Sequence, residues 1–193
     1  MTANGVEYNL DTLILATGFE VKLSALSPAG RIHTKTVGRG GRDLQEKWSG
    51  EDYGSIFGVA TNQFPNLFFN GFAGSASSLN LTSVFDLNAK LTAYIISEAA
   101  RKAQGSEKLT IEASKDGEDK YTAEVKKRAL CFSVLSTCTP GYFTEEGAAS
   151  NIKPEELDGV AKYSNWGGGP LEFEQLVESF KDEGTLEGFD VQF

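Results

Sequence analysis

"LDTLILATGFEVK", residues Leu10–Lys22, sets an apolar run, Leu13-Ile14-Leu15-Ala16, directly against Thr17-Gly18-Phe19. An apolar run of this length without alternation reads as a strand buried on both faces of a parallel sheet. In open α/β sheets ligands bind beyond the carboxyl ends of the strands, and Thr17-Gly18 stands at such an end. Glycine there lets a ligand approach the main chain, and Thr17 adds a hydroxyl and an amide. Upstream, Asn4-Gly5 is a strong hairpin signal, because a type I′ turn needs positive φ at both central residues. Val6–Leu10 alternates as the strand leaving that turn, whereas the entering arm has only Met1-Thr2-Ala3. These features predict a chain that begins in mid-motif.

Downstream, Ser24–Gly58 is rich in Gly, Ser and charge and reads as loops with one short helical piece, Leu44–Trp48. Asn66-Leu67-Phe68-Phe69 reads as a second short apolar strand, stopped by Asn70-Gly71. Val84, Leu87, Leu91, Ile95 and Ala99 recur at helical spacing and predict a helix over 83–104, with Gly105 at its C′ position. Leu109–Ala113 alternates like a half-buried strand before an expected turn, Lys115-Asp116-Gly117. Tyr121, Val125, Ala129 and Phe132 predict a second amphipathic helix, ended by Thr139-Pro140-Gly141. A polar loop then runs to Gly169, where Pro170 opens a third helix carrying Phe173, Leu176, Val177 and Phe180, closed by Gly184. Strand alternating with helix predicts the α/β class, with too few strands to complete a sheet.

Composition narrows the function. Of 193 residues 40% are hydrophobic and 23% charged, an ordinary globular balance. The formal net charge of -9 argues against nucleic acid and against an anionic membrane surface. No apolar run is long enough to span a bilayer and no leader pattern follows Met1, so a cytoplasmic protein is expected. The two cysteines, Cys131 and Cys138, are neither C-x-x-C nor flanked by metal-spaced histidines, and no metal site is expected. With a single histidine, His33, and no G-x-S-x-G elbow, a hydrolase triad has no support. A second strand end with small residues, Phe72-Ala73-Gly74-Ser75-Ala76-Ser77, lines one crevice with the first if the two strands are neighbours.

Asp11–Phe19 resembles the "D…ATG(F/Y)" segment of FAD-dependent class B flavoprotein monooxygenases. Gly38-Arg39-Gly40-Gly41 with Leu44 and Trp48, then Phe64-Pro65-Asn66-Leu67-Phe68, then Gly71–Ser75 follow in that family's order. "TCTPGYFTEEG", 137–147, and the terminal "GGGPLEFEQLVESFKDEGTLEGF" resemble the carboxyl-terminal part of Baeyer–Villiger monooxygenases, especially fungal-type ones. The resemblance implies an incomplete, Rossmann-like portion of an FAD-binding domain over 1–105, with a helical and loop extension over 106–193 packing on it. It places Thr17, Gly18 and Phe19 near FAD, and Gly74, Ser75 and Ala76 near the flavin ring and substrate. Cys138, Pro140 and Tyr142 become pocket-closing residues. The implied reaction uses NADPH and O2 to insert oxygen beside a ketone, commonly in secondary metabolism, and the cofactor carries the hard chemistry. No catalytic residue is identified.

The sequence also departs from that family. Dinucleotide binding needs G-x-G-x-x-G turns that lead into helix amino termini. Here Gly38-Arg39-Gly40-Gly41 has Asp43 in place of the last glycine, and no apolar strand precedes it. The family's flavin-side arginine lies upstream of the ATG segment, so that role is not assigned to Arg31, Arg39 or Arg42. A crevice with strand ends and no phosphate turn holds FAD poorly. Two expectations follow: part of an enzyme that needs further sequence or a separate partner chain, or a truncated, non-catalytic domain that keeps the pocket shape for binding or association.

Overall fold

The computed structural model describes residues 2–16, 34–71, 73–78, 80–106, 108–129, 139, 141, 147 and 151–193. At the amino end, β1 (Thr2–Ala3) pairs antiparallel with β2 (Val6–Glu7) through Asn4 and Gly5, at φ 50 and 77. This is the hairpin that Asn-Gly demands. The run after it differs from expectation. Leu13, Ile14 and Leu15 lie in no strand and are 54%, 82% and 74% exposed. A fully apolar strand is held by neighbours on both edges and layers on both faces. Among the described residues there are two sheets, each two-stranded, and neither includes this segment.

Helix α1 (Leu44–Ser49) follows a 3-10 turn at Arg39–Gly41, and Asp43 caps it by accepting from the Gln45 and Glu46 amides. Asp43, at the position a phosphate turn would give to its last glycine, is thus the N-cap of a helix. Helix α2 (Leu81–Lys102) is capped by Asn80 and buries Val84, Asn88, Leu91, Ile95 and Ala99 as one stripe. Its end at Gln104 and Gly105 takes positive φ, as the glycine predicts.

The expected strand at Asn66–Phe69 is absent. Asn66 stands at φ 58 and uses its side chain as a strand would use its backbone. Its N–H donates to the Ile111 carbonyl and its Oδ1 accepts from the Ile111 N–H, each at 2.8 Å. Phe69 and Gly71 then donate to the Val59 and Gly58 carbonyls as an irregular continuation.

Strand β3 (Thr110–Ala113) forms where alternation predicts one, and its partner is β4 (Phe189–Gln192), in register Ile111 opposite Val191. Glu112 faces Asp190 across this pair but is buried, because Arg39 and the Gln63 N–H claim its carboxylate. The stretch Lys115-Asp116-Gly117 is the first turn of α3 (Lys115–Lys127), where a loop turn was expected. Ser114 caps it, and a Cβ on Gly117 would fall 2.4 Å from Gly188 Cα, so this glycine serves close packing. Helix α3 stops at Lys127, before Phe132, which lies outside the described residues. Within the expected polar loop, Leu157–Ala161 is a short helix, α4, entered through a 3-10 turn at Pro154–Glu156. Helix α5 (Gly169–Glu183) starts at Pro170 and ends at Gly184, φ 65, as expected.

A hydrophobic cluster takes Val84, Leu91 and Ile95 of α2, Tyr121 and Val125 of α3, and Phe173, Val177 and Phe180 of α5. It includes residues from both sides of position 105. Lys102 ties α2 to the end of α5 by donating to the Gly184 and Thr185 carbonyls at 2.9 Å. A second cluster gathers Leu44, Trp48, Tyr53, Phe64 and Ala73.

Candidate functional site

Of the residues expected at a site, the described ones are Gly74, Ser75 and Ala76, and all three are buried. Gly74 takes φ 77, and a Cβ there would lie 2.9 Å from Ser55 Oγ and 3.3 Å from Tyr121 Cε1. Its N–H donates to the Ser164 carbonyl at 2.8 Å, and its own carbonyl accepts from the Tyr121 hydroxyl. The Ser75 carbonyl accepts from the Trp166 N–H at 2.8 Å. Ser75 Oγ faces the Asn88 amide, with 3.1 Å to Oδ1 and 2.9 Å from Nδ2. From behind, a Cβ on Gly58, φ 68, would reach 2.8 Å from Ser75 Cβ. Thus α2, α3 and the 164–166 segment converge on one loop.

Tyr121 is central to this arrangement. Its ring stacks on Trp166 at 5.6 Å, and the Arg128 guanidinium sits 4.6 Å over that indole. Glu172 accepts from both Trp166 Nε1 and Arg128 Nε. Burial pushes the Tyr121 phenol well above its ordinary range, so it remains a hydrogen-bond donor. Tyr121, Phe57 and Phe180 also line an open groove of about 290 Å³, together with Glu124, Glu183 and Glu187.

A buried polar hub lies in the 54–62 region. Lys47 Nζ donates to both Glu118 oxygens at 2.9 Å, to Thr61 Oγ1 at 2.8 Å and to the Asn62 carbonyl at 3.1 Å. Glu118 also accepts from the Asn62 N–H, and Thr61 Oγ1 lies 2.7 Å from it and 2.9 Å from the Gly54 carbonyl. Burial lowers the Lys47 pKa, and Glu118 opposes that shift.

Thr17, Gly18 and Phe19, and Cys138, Pro140 and Tyr142, lie outside the described residues. Sequence reasoning missed Asn88, Glu118 and Lys47. The signal was present for two of them: Asn88 and Glu118 sit in the apolar stripes of their helices, four before Asn88 at Val84 and three after Glu118 at Tyr121. A polar residue in such a stripe must find a partner inside.

The described residues do not by themselves form a dinucleotide cradle. The amino termini of α1, α2 and α3 are already capped by Asp43, Asn80 and Ser114. Gly74 is crowded by the chain's own atoms rather than left open. Among the described residues there is no group of three or more His, Cys, Asp or Glu placed to hold a metal, and no helix long and apolar enough to cross a membrane.

No protein-family model matches the chain. Along its whole length it is 40% identical to the FAD-binding monooxygenase prhK of Penicillium brasilianum, of which it covers 30%. It is 32% identical, over 96% of its length, to 28% of the polycyclic ketone monooxygenase of Thermothelomyces thermophilus. The solved polycyclic ketone monooxygenase from that fungus superposes with a TM-score of 0.78 over 86% of this chain and 25% of that one, at 31% identity. A steroid monooxygenase bound to NADP gives 0.66 over 97% of this chain and 31% of that one, at 25% identity. The chain therefore spans about 30% of the length of the relatives it matches.

Proposed function

From the premise that this chain is similar along its length to part of the FAD-binding, Baeyer–Villiger-type monooxygenases, we propose that it supplies the carboxyl-terminal part of such an enzyme. The whole protein then uses FAD and NADPH to insert one oxygen of O2 beside a ketone, in the cytoplasm and in secondary metabolism. Residues 1–105 complete the FAD-binding domain and 106–193 pack on it. The superposition on the polycyclic ketone monooxygenase carries this reading. The bare apolar arm, Leu10–Leu15, supports it as the surface that joins the rest of the sheet. In the completed site, Thr17, Gly18 and Phe19 border the cofactor, and Cys138, Pro140 and Tyr142 border the ketone. When bound, the flavin supplies the redox chemistry. The chain's own contribution is a rigid back wall, the 73–76 loop, fixed by α2, α3 and the 164–166 segment.

A chimera tests this reading. In it the chain replaces the matching segment of the Penicillium brasilianum relative. A yellow protein whose NADPH consumption rises with added ketone is the expected result, and a folded but colourless chimera would refute the enzyme reading. The self-satisfied 73–76 loop favours a second reading, a non-catalytic domain that needs no cofactor to fold. On that reading the chain by itself is folded, colourless and unaffected by added FAD.

A further inference from the structure

The small residues of the 73–76 loop invite an assignment as flavin neighbours, but their surroundings argue otherwise. Both main-chain polar groups of Gly74 and the carbonyl of Ser75 are taken by Ser164, Tyr121 and Trp166. The Ser75 hydroxyl is taken by Asn88. Gly74 has no room for a Cβ because Ser55 and Tyr121 fill that space. The next residue along, Ser77, is exposed.

We infer that Tyr121 and Asn88 are positioning residues that fasten Gly74–Ala76 as an internal latch, held out of direct contact with any cofactor, so that Ser77 is the first residue of this stretch to face a ligand. The latch itself follows from the contacts within the chain, while the identity of the ligand rests on the flavoenzyme reading. Buried groups satisfied from two different helices fix a loop more tightly than either helix does alone, because each bond is made without solvent competition. The two helices also hold the latch at different points, Tyr121 at the carbonyl of the residue before Ser75 and Asn88 at the Ser75 side chain.

Amide hydrogen exchange on the chain as it stands tests the latch. Tyr121→Phe removes one hydroxyl and keeps the ring, and Asn88→Ala removes the amide. In each variant the amides of residues 73–78 should exchange about fivefold faster, while those of α5 keep their rates. Tyr94→Phe is the control, because Tyr94 makes an equivalent bond to the Lys181 carbonyl at 2.8 Å, and it should leave the loop unchanged. Loop rates that do not move in Tyr121→Phe, or one uniform acceleration across the chain, overturn the inference. In the chimera, Ser75→Ala should move the absorbance spectrum of bound flavin no more than Asn88→Ala, which removes the same bond from its other end, and a displacement seen in Ser75→Ala alone overturns the claim of no direct contact. A parent chimera without flavin counts against the flavoenzyme reading alone, since exchange in the isolated chain needs no cofactor.

Discussion

Lys47 Nζ stands 2.9 Å from each carboxylate oxygen of Glu118, a residue 71 positions away, and the two side chains are only 3% and 1% exposed. The pair bolts α1 to α3 across the Thr61-Asn62 turn, whose hydroxyl, amide and carbonyl complete its hydrogen bonding. A buried pair of this kind contributes little net stability over an apolar equivalent, yet breaking it is costly. Its consequence is specificity of packing, because among the described residues neither charge has another ion-pair partner.

Lys47→Met should therefore lower stability by about 3–5 kcal/mol, since it strands the Glu118 carboxylate in a dry site. Lys47→Met combined with Glu118→Leu should cost less than the first substitution alone. Urea unfolding of the parent, the two single variants and the double variant checks this, and additive losses would show that the two side chains act independently.

The same pair sets an alkaline dependence. Burial, the largest cause, lowers the Lys47 pKa below 10.5 despite the attraction of Glu118. Between the folded value and the unfolded value the unfolded chain binds more protons, so stability rises with pH in that window. The cost of burying the ammonium is present below the folded pKa and relieved as pH rises through it. Subtracting the stability of Lys47→Met from that of the parent should thus give a difference that grows as pH climbs toward 10.5. A difference that shrinks instead would mean that Glu118 outweighs desolvation.

Local signals in the sequence suffice where they carry their own cause. Asn4-Gly5, the stripe of α2, and the Pro170 and Gly184 bounds of α5 need no distant partner to be recognised. The same signals mislead where a distant partner decides the outcome. Gly117 reads as a turn until Gly188 is seen lying against it, and Leu13–Ala16 is a strand only beside other strands. Asn66 reads as the start of a strand, but its side chain docks on β3, 45 residues on. The site is legible only in part: Gly74 reads as one of a run of small residues, while what requires a glycine there sits on Ser55 and Tyr121.

Gly54 sits against the same hub. A Cβ there would stand 2.5 Å from Glu118 Cγ and 2.7 Å from Cδ. Lys47, Thr61 and Asn62 hold that carboxylate in place, so it has nowhere to retreat. Gly54→Ala should cost about 1–3 kcal/mol, the usual range for overpacking. In a Glu118→Ala background, which has already lost the ion pair, Gly54→Ala should cost less than it does in the parent, and thermal unfolding of the two single variants and the double variant would detect that. An alanine at position 54 that leaves the melting temperature alone would mean that the hub gives way freely.

Ile14 and Leu15 supply the sharpest contrast between chain and assembled protein. At 82% and 74% exposure they contribute little to this chain's own packing, so Ile14→Asp and Leu15→Asp should change its stability by about 0.5 kcal/mol or less. If the arm enters a sheet made with the rest of a longer enzyme, the same changes place a carboxylate between packed layers, where an unpaired charge is strongly disfavoured. In the chimera with the Penicillium brasilianum relative they should abolish soluble, flavin-bearing protein. Differential scanning fluorimetry on the isolated chain and flavin absorbance on the chimera give the two readings. Tolerance in both settings would leave the apolar arm without a buried role and remove its support for a shared sheet. Loss in the isolated chain as well would instead show that the arm already packs within it.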